Sequence, residues 1–246
     1  MSAHAYFQKA LAALQQTAET QLEPVRIAAG MLVETLSSGR AIYSFGASHS
    51  FMLTEEMVYR TGGLMLINPI YPHGMNSLVR PMTLTSRLER VPGLGAELLH
   101  SVPAAVGDAL ILTSTSGRNA VTIDMAMAAR DRGMKRIGIV SRAYMESVES
   151  RHASGKKLAD FCDVVLDNGA PLGDACVEIP GLEQKTGPIS TVTGCALVNA
   201  LIAEVLARLV DQGISPPVFQ SANLDGGDAY NARRLAENRD RIHYLD

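Results

Sequence analysis

The chain has no tryptophan, and aromatic residues fill only 5% of its 246 positions, so the core it builds has to be aliphatic. Ala, Val, Leu, Ile and 11 Met can supply one. Hydrophobic residues reach 47%, which excludes intrinsic disorder and arrays of aromatic-anchored repeats. A basic excess is also missing: Lys and Arg number 22 against 25 Asp and Glu, a formal net charge of -3, so no global field attracts a nucleic-acid backbone. Any hold on an anion must be local. Cysteine is scarce, and Cys162, Cys176 and Cys195 show no CxxC spacing, so they read as buried thiols in a reducing compartment. Neither a basic-then-apolar leader nor an uninterrupted run approaching ~18 apolar residues is present, which points to a cytoplasmic soluble protein.

What is there is an alternation of two periods. Phe7, Leu11 and Leu14 recur at helical spacing over 3–21, and Ile27, Met31, Leu32 and Leu36 do so after Glu23-Pro24, which predicts a helical hairpin over 1–39. Beyond it, five short apolar runs predict strands at 41–45, 64–68, 109–113, 136–140 and 163–167, continuous enough to be buried on both faces of a parallel sheet. Helices are expected between or after them at 50–61, 119–133, 154–161 and 191–212. This is the pattern of a doubly wound α/β domain over 40–215, followed by a polar tail over 216–246 that packs outside the sheet. No internal repeat or boundary divides it. In such a domain a ligand crevice opens at the carboxyl ends of the strands. Two long connections rich in Pro and Gly, 69–95 and 169–190, are candidates for functional loops.

The first strand runs into Gly46-Ala47-Ser48-His49-Ser50 and then a helix, and the third into Ser114-Thr115-Ser116-Gly117-Arg118-Asn119 and another. Hydroxyls and backbone N–H groups converge at such helix N-termini, where the dipole favours an anion. Ordinary serine capping explains one such turn. Two on neighbouring strands are less easily dismissed, and Gly187-Pro188-Ile189-Ser190-Thr191 forms a third candidate. A Walker loop would need Gly-Lys-Ser/Thr, and a dinucleotide site would need G-x-G-x-x-G with an acidic end to the second strand, where this chain has Asn68. Both are absent, which leaves a compact phosphate monoester as the ligand class the hydroxyls suit.

These turns resemble those of the SIS (sugar isomerase) phosphosugar-binding domain, typically G-x-G-x-S and S-x-S-G followed by a small polar residue and Thr or Asn. GASHS carries Ser48 where the second glycine usually stands, STSGRN matches closely, and the resemblance spans 40–212. Residues 150–175 and 221–231 further resemble a bacterial subgroup of sugar-isomerase-domain proteins. The resemblance implies a flavodoxin-like three-layer domain with a five-stranded parallel sheet, phosphosugar binding, and homodimers or dimers of dimers whose sites borrow residues from a neighbour; no metal is expected, since neither HExxH nor paired His and Cys spacing is present. It also implies that Ser48 and Ser50 bond the ligand while Ser114, Thr115, Ser116 and Asn119 hold its phosphate. Arg118 has no fixed counterpart.

Aldose–ketose isomerisation needs a base that moves a proton between C1 and C2, and an acid, most often Glu and His. Phosphoheptose isomerases, in the same resemblance, carry a Glu-Glu pair in the corresponding helix. That makes Glu56 the first choice of base, with Glu55 beside it, although the pair lies about one helical turn nearer the serine motif. The plainer reading is two solvated residues, one paired with Arg60 at i+4. For the acid, His152 and His73 rank ahead of His49, which sits inside the first turn; each can equally be a positioning donor. His4, His100 and His243 read as surface or packing residues, and Asp225 and Asp228, around Gly226-Gly227, as a turn. The leading expectation is a cytoplasmic, cofactor-free sugar-phosphate isomerase that binds no nucleic acid and no membrane. The alternatives are a non-catalytic sugar-phosphate sensor and an amino-sugar phosphate lyase or etherase.

Overall fold

The computed structural model describes residues 2–245. The chain opens with one helix, α1 (Ser2–Ser37), and not with the expected hairpin: Pro24 lies inside it. An interior proline removes a backbone hydrogen bond and costs ~3 kcal/mol. Tertiary packing offsets that here, since Val25, Ala28, Ala29 and Leu32 just beyond it are buried in the core and Gln21 Oε1 accepts the Asp167 N–H at 2.9 Å.

Then come β1 (Ile42–Gly46), a turn of 3-10 helix (Ser48–Ser50), α2 (Phe51–Met57), β2 (Ile67–Pro69), α3 (Thr83–Leu88), α4 (Leu94–His100) and β3 (Ala109–Thr113). The second half holds α5 (Ala120–Asp131), β4 (Lys135–Val140), α6 (Arg142–Glu146), β5 (Val164–Asp167), an antiparallel pair β6 (Ala175–Val177) and β7 (Thr186–Pro188), α7 (Ser190–Asp211) and α8 (Gly227–Glu237). The five-stranded sheet is parallel throughout, in the order β2-β1-β3-β4-β5. That is the flavodoxin-like order, whose direction of winding reverses between β1 and β3.

Alternation along the strands sorts side chains into two cores. Ile42, Ile111, Ile137, Ile139 and Leu166 face α1, α2 and α7. Tyr43, Phe45, Leu110 and Leu112 face α4 and α5. Helix α7 is apolar and long enough to cross a membrane, yet Leu197, Val198, Leu201, Ile202 and Val205 are buried against the sheet side of α1, so it is a core helix.

Several local expectations are corrected. The helix expected over 50–61 ends at Met57. Of the expected strand at 64–68 only the end joins the sheet; the backbone of Leu64 and Met65 pairs with 217–218 instead. The 154–161 segment is no α-helix: a turn closed by Gly155 N–H on the His152 carbonyl at 3.0 Å, with Gly155 at φ 70°, precedes one 3-10 turn at Leu158–Phe161. Both long connections contain regular structure, α3 and α4 in one, β6 and β7 in the other. The tail does not lie wholly outside the sheet, because Ile242 is buried and His243 Nδ1 meets the Tyr43 hydroxyl at 2.6 Å. The three thiols are free and only partly buried. Cys162, the most enclosed, has its pKa pushed up to about 12 by burial.

Candidate functional site

Gly46 ends β1, and a Cβ there would run into the Ser50 carbonyl, so the chain can fold back this sharply only with glycine. Ser48 follows in the left-handed region at φ 56°, with its N–H held by the Met75 carbonyl at 2.7 Å. A non-glycine residue held there costs of order 1 kcal/mol. Beside it, β1 and β3 end in register, Gly46 opposite Thr113. The Ser114 N–H extends the sheet to Ile139, and the turn closes through Gly117 N–H on the Ser114 carbonyl at 3.0 Å, with Gly117 at φ 60°.

The two turns therefore face each other at the switch point of the sheet. They enclose a cavity of about 210 Å³ with Ser48, His49, Ser50, Ser114, Thr115, Ser116 and Asn119 in its lining. Thr113, Thr122, Tyr144 and Glu89 complete its polar wall. Helix capping does not account for these hydroxyls. Neither α2 nor α5 is capped by a side chain. Among the described residues no protein group bonds the hydroxyls of Ser48, Ser50, Ser114, Thr115 or Ser116, and Thr113 Oγ1 is buried without a partner. Buried or half-buried hydroxyls are normally paired. The accessible hydroxyls of this set, with the buried Thr113 Oγ1, all open onto one cavity, where a ligand can reach them.

The third turn is different. Asp174 Oδ1 accepts the Ile189 and Ser190 N–H groups at 3.0 and 2.8 Å, and Oδ2 takes the Ser190 hydroxyl at 2.7 Å. Those hydrogen bonds cap α7 from within the protein.

Glu89, Tyr144, Thr113 and Thr122 are polar lining residues that motif reading missed. Glu89 follows α3, in the long connection flagged as a functional loop, but its neighbour Asn119 is thirty residues away in sequence and only the fold joins them. Asn119 Nδ2 donates to Glu89 Oε2 at 2.5 Å, while its Oδ1 accepts Arg151 Nη1 at 3.1 Å. Burial raises the Glu89 carboxyl above the usual glutamate range; the Asn119 hydrogen bond and the charges of Arg90 and Arg151 pull it partly back. Arg151 is pulled down by burial and by the charges of Arg118 and Arg90. The Arg151 N–H bonds the Arg118 carbonyl at 2.9 Å, and Arg118 Nε is buried without a partner among the described residues. A mildly acidic chain thus gathers the charges of Arg90, Arg118 and Arg151 around the Glu89–Asn119 pair, although none of the three lines the cavity itself.

The remaining candidates lie outside the cavity. Glu56 Oε1 takes Arg60 Nε at 2.9 Å and Asn199 Nδ2 at 2.8 Å, and Glu55 is exposed on α2. His73 is exposed in the loop after β2. His152 Nε2 meets Asp124 Oδ1 at 3.0 Å and its Nδ1 meets Ser154 Oγ at 2.7 Å, while Asp124 Oδ2 accepts the Gly93 N–H at 2.7 Å. This ties the 150–157 loop, and with it Arg151, to α5.

A family model described as the SIS domain matches residues 5–141. A UPF0309 protein of Shouchella clausii is 43% identical over 240 residues, 98% of each chain, and one of Streptomyces griseus is 42% identical over 240 residues, 97% of this chain and 96% of that one. Among solved structures, phosphoheptose isomerase GmhA from Neisseria gonorrhoeae has a TM-score of 0.55 at 18% identity, covering 83% of this chain and 97% of its own. The Vibrio vulnificus NanR protein complexed with ManNAc-6P has a TM-score of 0.54 at 18% identity, covering 86% and 65%.

Proposed function

Because the chain belongs to the SIS domain family, which matches more than half of it, we propose that the serine-lined cavity binds a phosphorylated sugar and isomerises it between aldose and ketose without a cofactor. The observation that carries this reading is the set of hydroxyls left open at the β1/β3 switch point. Ser48, Ser50 and Ser114 to Ser116 can turn their free hydroxyls to phosphate oxygens, with the charges of Arg118 and Arg151 behind Asn119. A ligand fixed at its anionic end presents its first carbons at a reproducible place, which is the larger part of what an isomerase must arrange. We place the protein in the cytoplasm, where its thiols stay reduced, as a homodimer or a dimer of dimers.

Titration calorimetry against D-fructose and D-ribulose monophosphates tests the site. Ser116→Ala should weaken binding about tenfold, the loss of ~1.4 kcal/mol expected for one charge-assisted hydrogen bond. Unchanged affinity would sink the phosphate assignment. The second reading is a sensor that binds a sugar phosphate without turning it over; the fold shared with NanR, solved with ManNAc-6P, accommodates such a ligand. Binding by the wild type without interconversion of the two sugar forms, followed by NMR, would select that reading.

A further inference from the structure

We propose that Glu89 is the catalytic group that carries the proton between C1 and C2 of the bound sugar, an assignment that rests on reading the cavity as a sugar-phosphate isomerase site. Among the described residues lining that cavity it is the sole carboxylate. The acidic groups singled out by sequence are committed elsewhere: Glu56 to Arg60 and Asn199, Glu55 to solvent.

Glu89 is also held as a catalytic base has to be held. Its N–H bonds the Thr85 carbonyl at 3.0 Å, and its own carbonyl accepts the Val121 N–H in the first turn of α5 at 3.1 Å. Its Oε2 is fixed by Asn119, whose amide is in turn held by Arg151. Among the described residues no group hydrogen-bonds the other oxygen, Oε1, which leaves it open to take a proton. Arg90 and Arg151 favour the charged form while partial burial strengthens it as a base, so the group can both remove and return a proton.

The step balances without a redox partner. From an open-chain aldose phosphate the C2–H bond breaks and its proton passes to Glu89 Oε1. The electron pair forms the C1=C2 bond of an enediol as the C1 oxygen takes a proton from water. Glu89 then returns its proton to C1 while the C2 hydroxyl loses one to water and becomes the carbonyl. One oxygen gains a proton, the other loses one, and the sugar is isomerised.

The experiment uses the full chain with D-fructose and D-ribulose monophosphates in deuterated water. NMR reads deuterium incorporation at C1, and calorimetry reads binding on the same samples. Wild type should incorporate deuterium. Glu89→Gln should slow incorporation about 100-fold or more, the usual share of a positioned acid–base group, with affinity within about threefold, while Glu89→Asp retains a measurable part. Exchange at the wild-type rate in Glu89→Gln overturns the assignment. So does loss in Glu56→Gln with retention in Glu89→Gln, or a wild type that binds without exchanging. A wild type that binds neither sugar overturns the reading of the cavity itself, and calorimetry separates that failure from the others.

Discussion

A carboxyl drawn out of water holds its proton more tightly in the folded chain than in the unfolded one, and Glu89 is such a group, with burial outweighing Asn119, Arg90 and Arg151. The linkage has a definite sign. A raised carboxyl pKa contributes stability that is fully present below the ordinary glutamate range, ~4.3, and lost as pH rises through the folded value. At neutral pH the charged group is therefore a cost, which is the usual price of function at a site. Glu89→Gln should raise Tm at pH 7, and the gain should vanish below pH ~4. Scanning calorimetry at both pH values checks this, and an unchanged or lower Tm at neutral pH would show that the hydrogen bonds outweigh the desolvation. The same residue marks the limit of what sequence discloses. The serine turns were legible because small hydroxylated residues interrupt apolar strands. Glu89 was not, because nothing in a polar loop shows that its side chain meets Asn119 thirty positions later.

Helices α4 and α5 cross where Gly95 leaves no room: a Cβ there would run into the Val121 carbonyl and lie 2.8 Å from the Met125 nitrogen. Backbone cannot retreat as a flexible side chain can. Gly95→Ala should push the helices apart at a cost of about 3 kcal/mol, lowering Tm by about 6–12 °C, and it should disturb the Val121 N–H that anchors Glu89. Thermal denaturation measures the first effect; an unaltered Tm would mean that α4 slides freely over α5. At this scale the five strands were readable, since strands buried on both faces are continuous apolar runs. Connections were less so. Pro24 reads as a break, yet Val25, Ala28 and Leu32 beyond it are buried against the sheet, and that packing carries the helix through. Leu64 and Met65 look like sheet residues by composition, and pairing with 217–218 claims them because hydrophobicity does not name a partner.

Both ends of the chain close on the same part of the domain. Arg241 Nη2 bonds the Leu36 carbonyl at the end of α1 at 3.0 Å, the His243 N–H bonds Asn68 Oδ1 of β2 at 2.7 Å, and the Tyr244 hydroxyl bonds the Met65 carbonyl at 2.9 Å. Ile242 adds a buried side chain to the core that α1 and α7 share. Segments that sequence alone makes look like a leading hairpin and a trailing tail are thus part of one packed unit, and we expect residues 1–246 to unfold in a single transition. Truncation after Asn238 removes Ile242, worth ~1.5–3 kcal/mol when buried. It also leaves the Tyr43 hydroxyl, deep in β1, without its His243 partner, a further ~1–3 kcal/mol. A loss of about 3 kcal/mol should lower Tm by about 6–12 °C while the transition stays single, its calorimetric enthalpy equal to the van't Hoff value. Were the tail only an appendage, truncation would leave Tm in place; were it a separate unit, the intact chain would melt in two steps. One displaced transition is the result that a core closed by both of its ends requires.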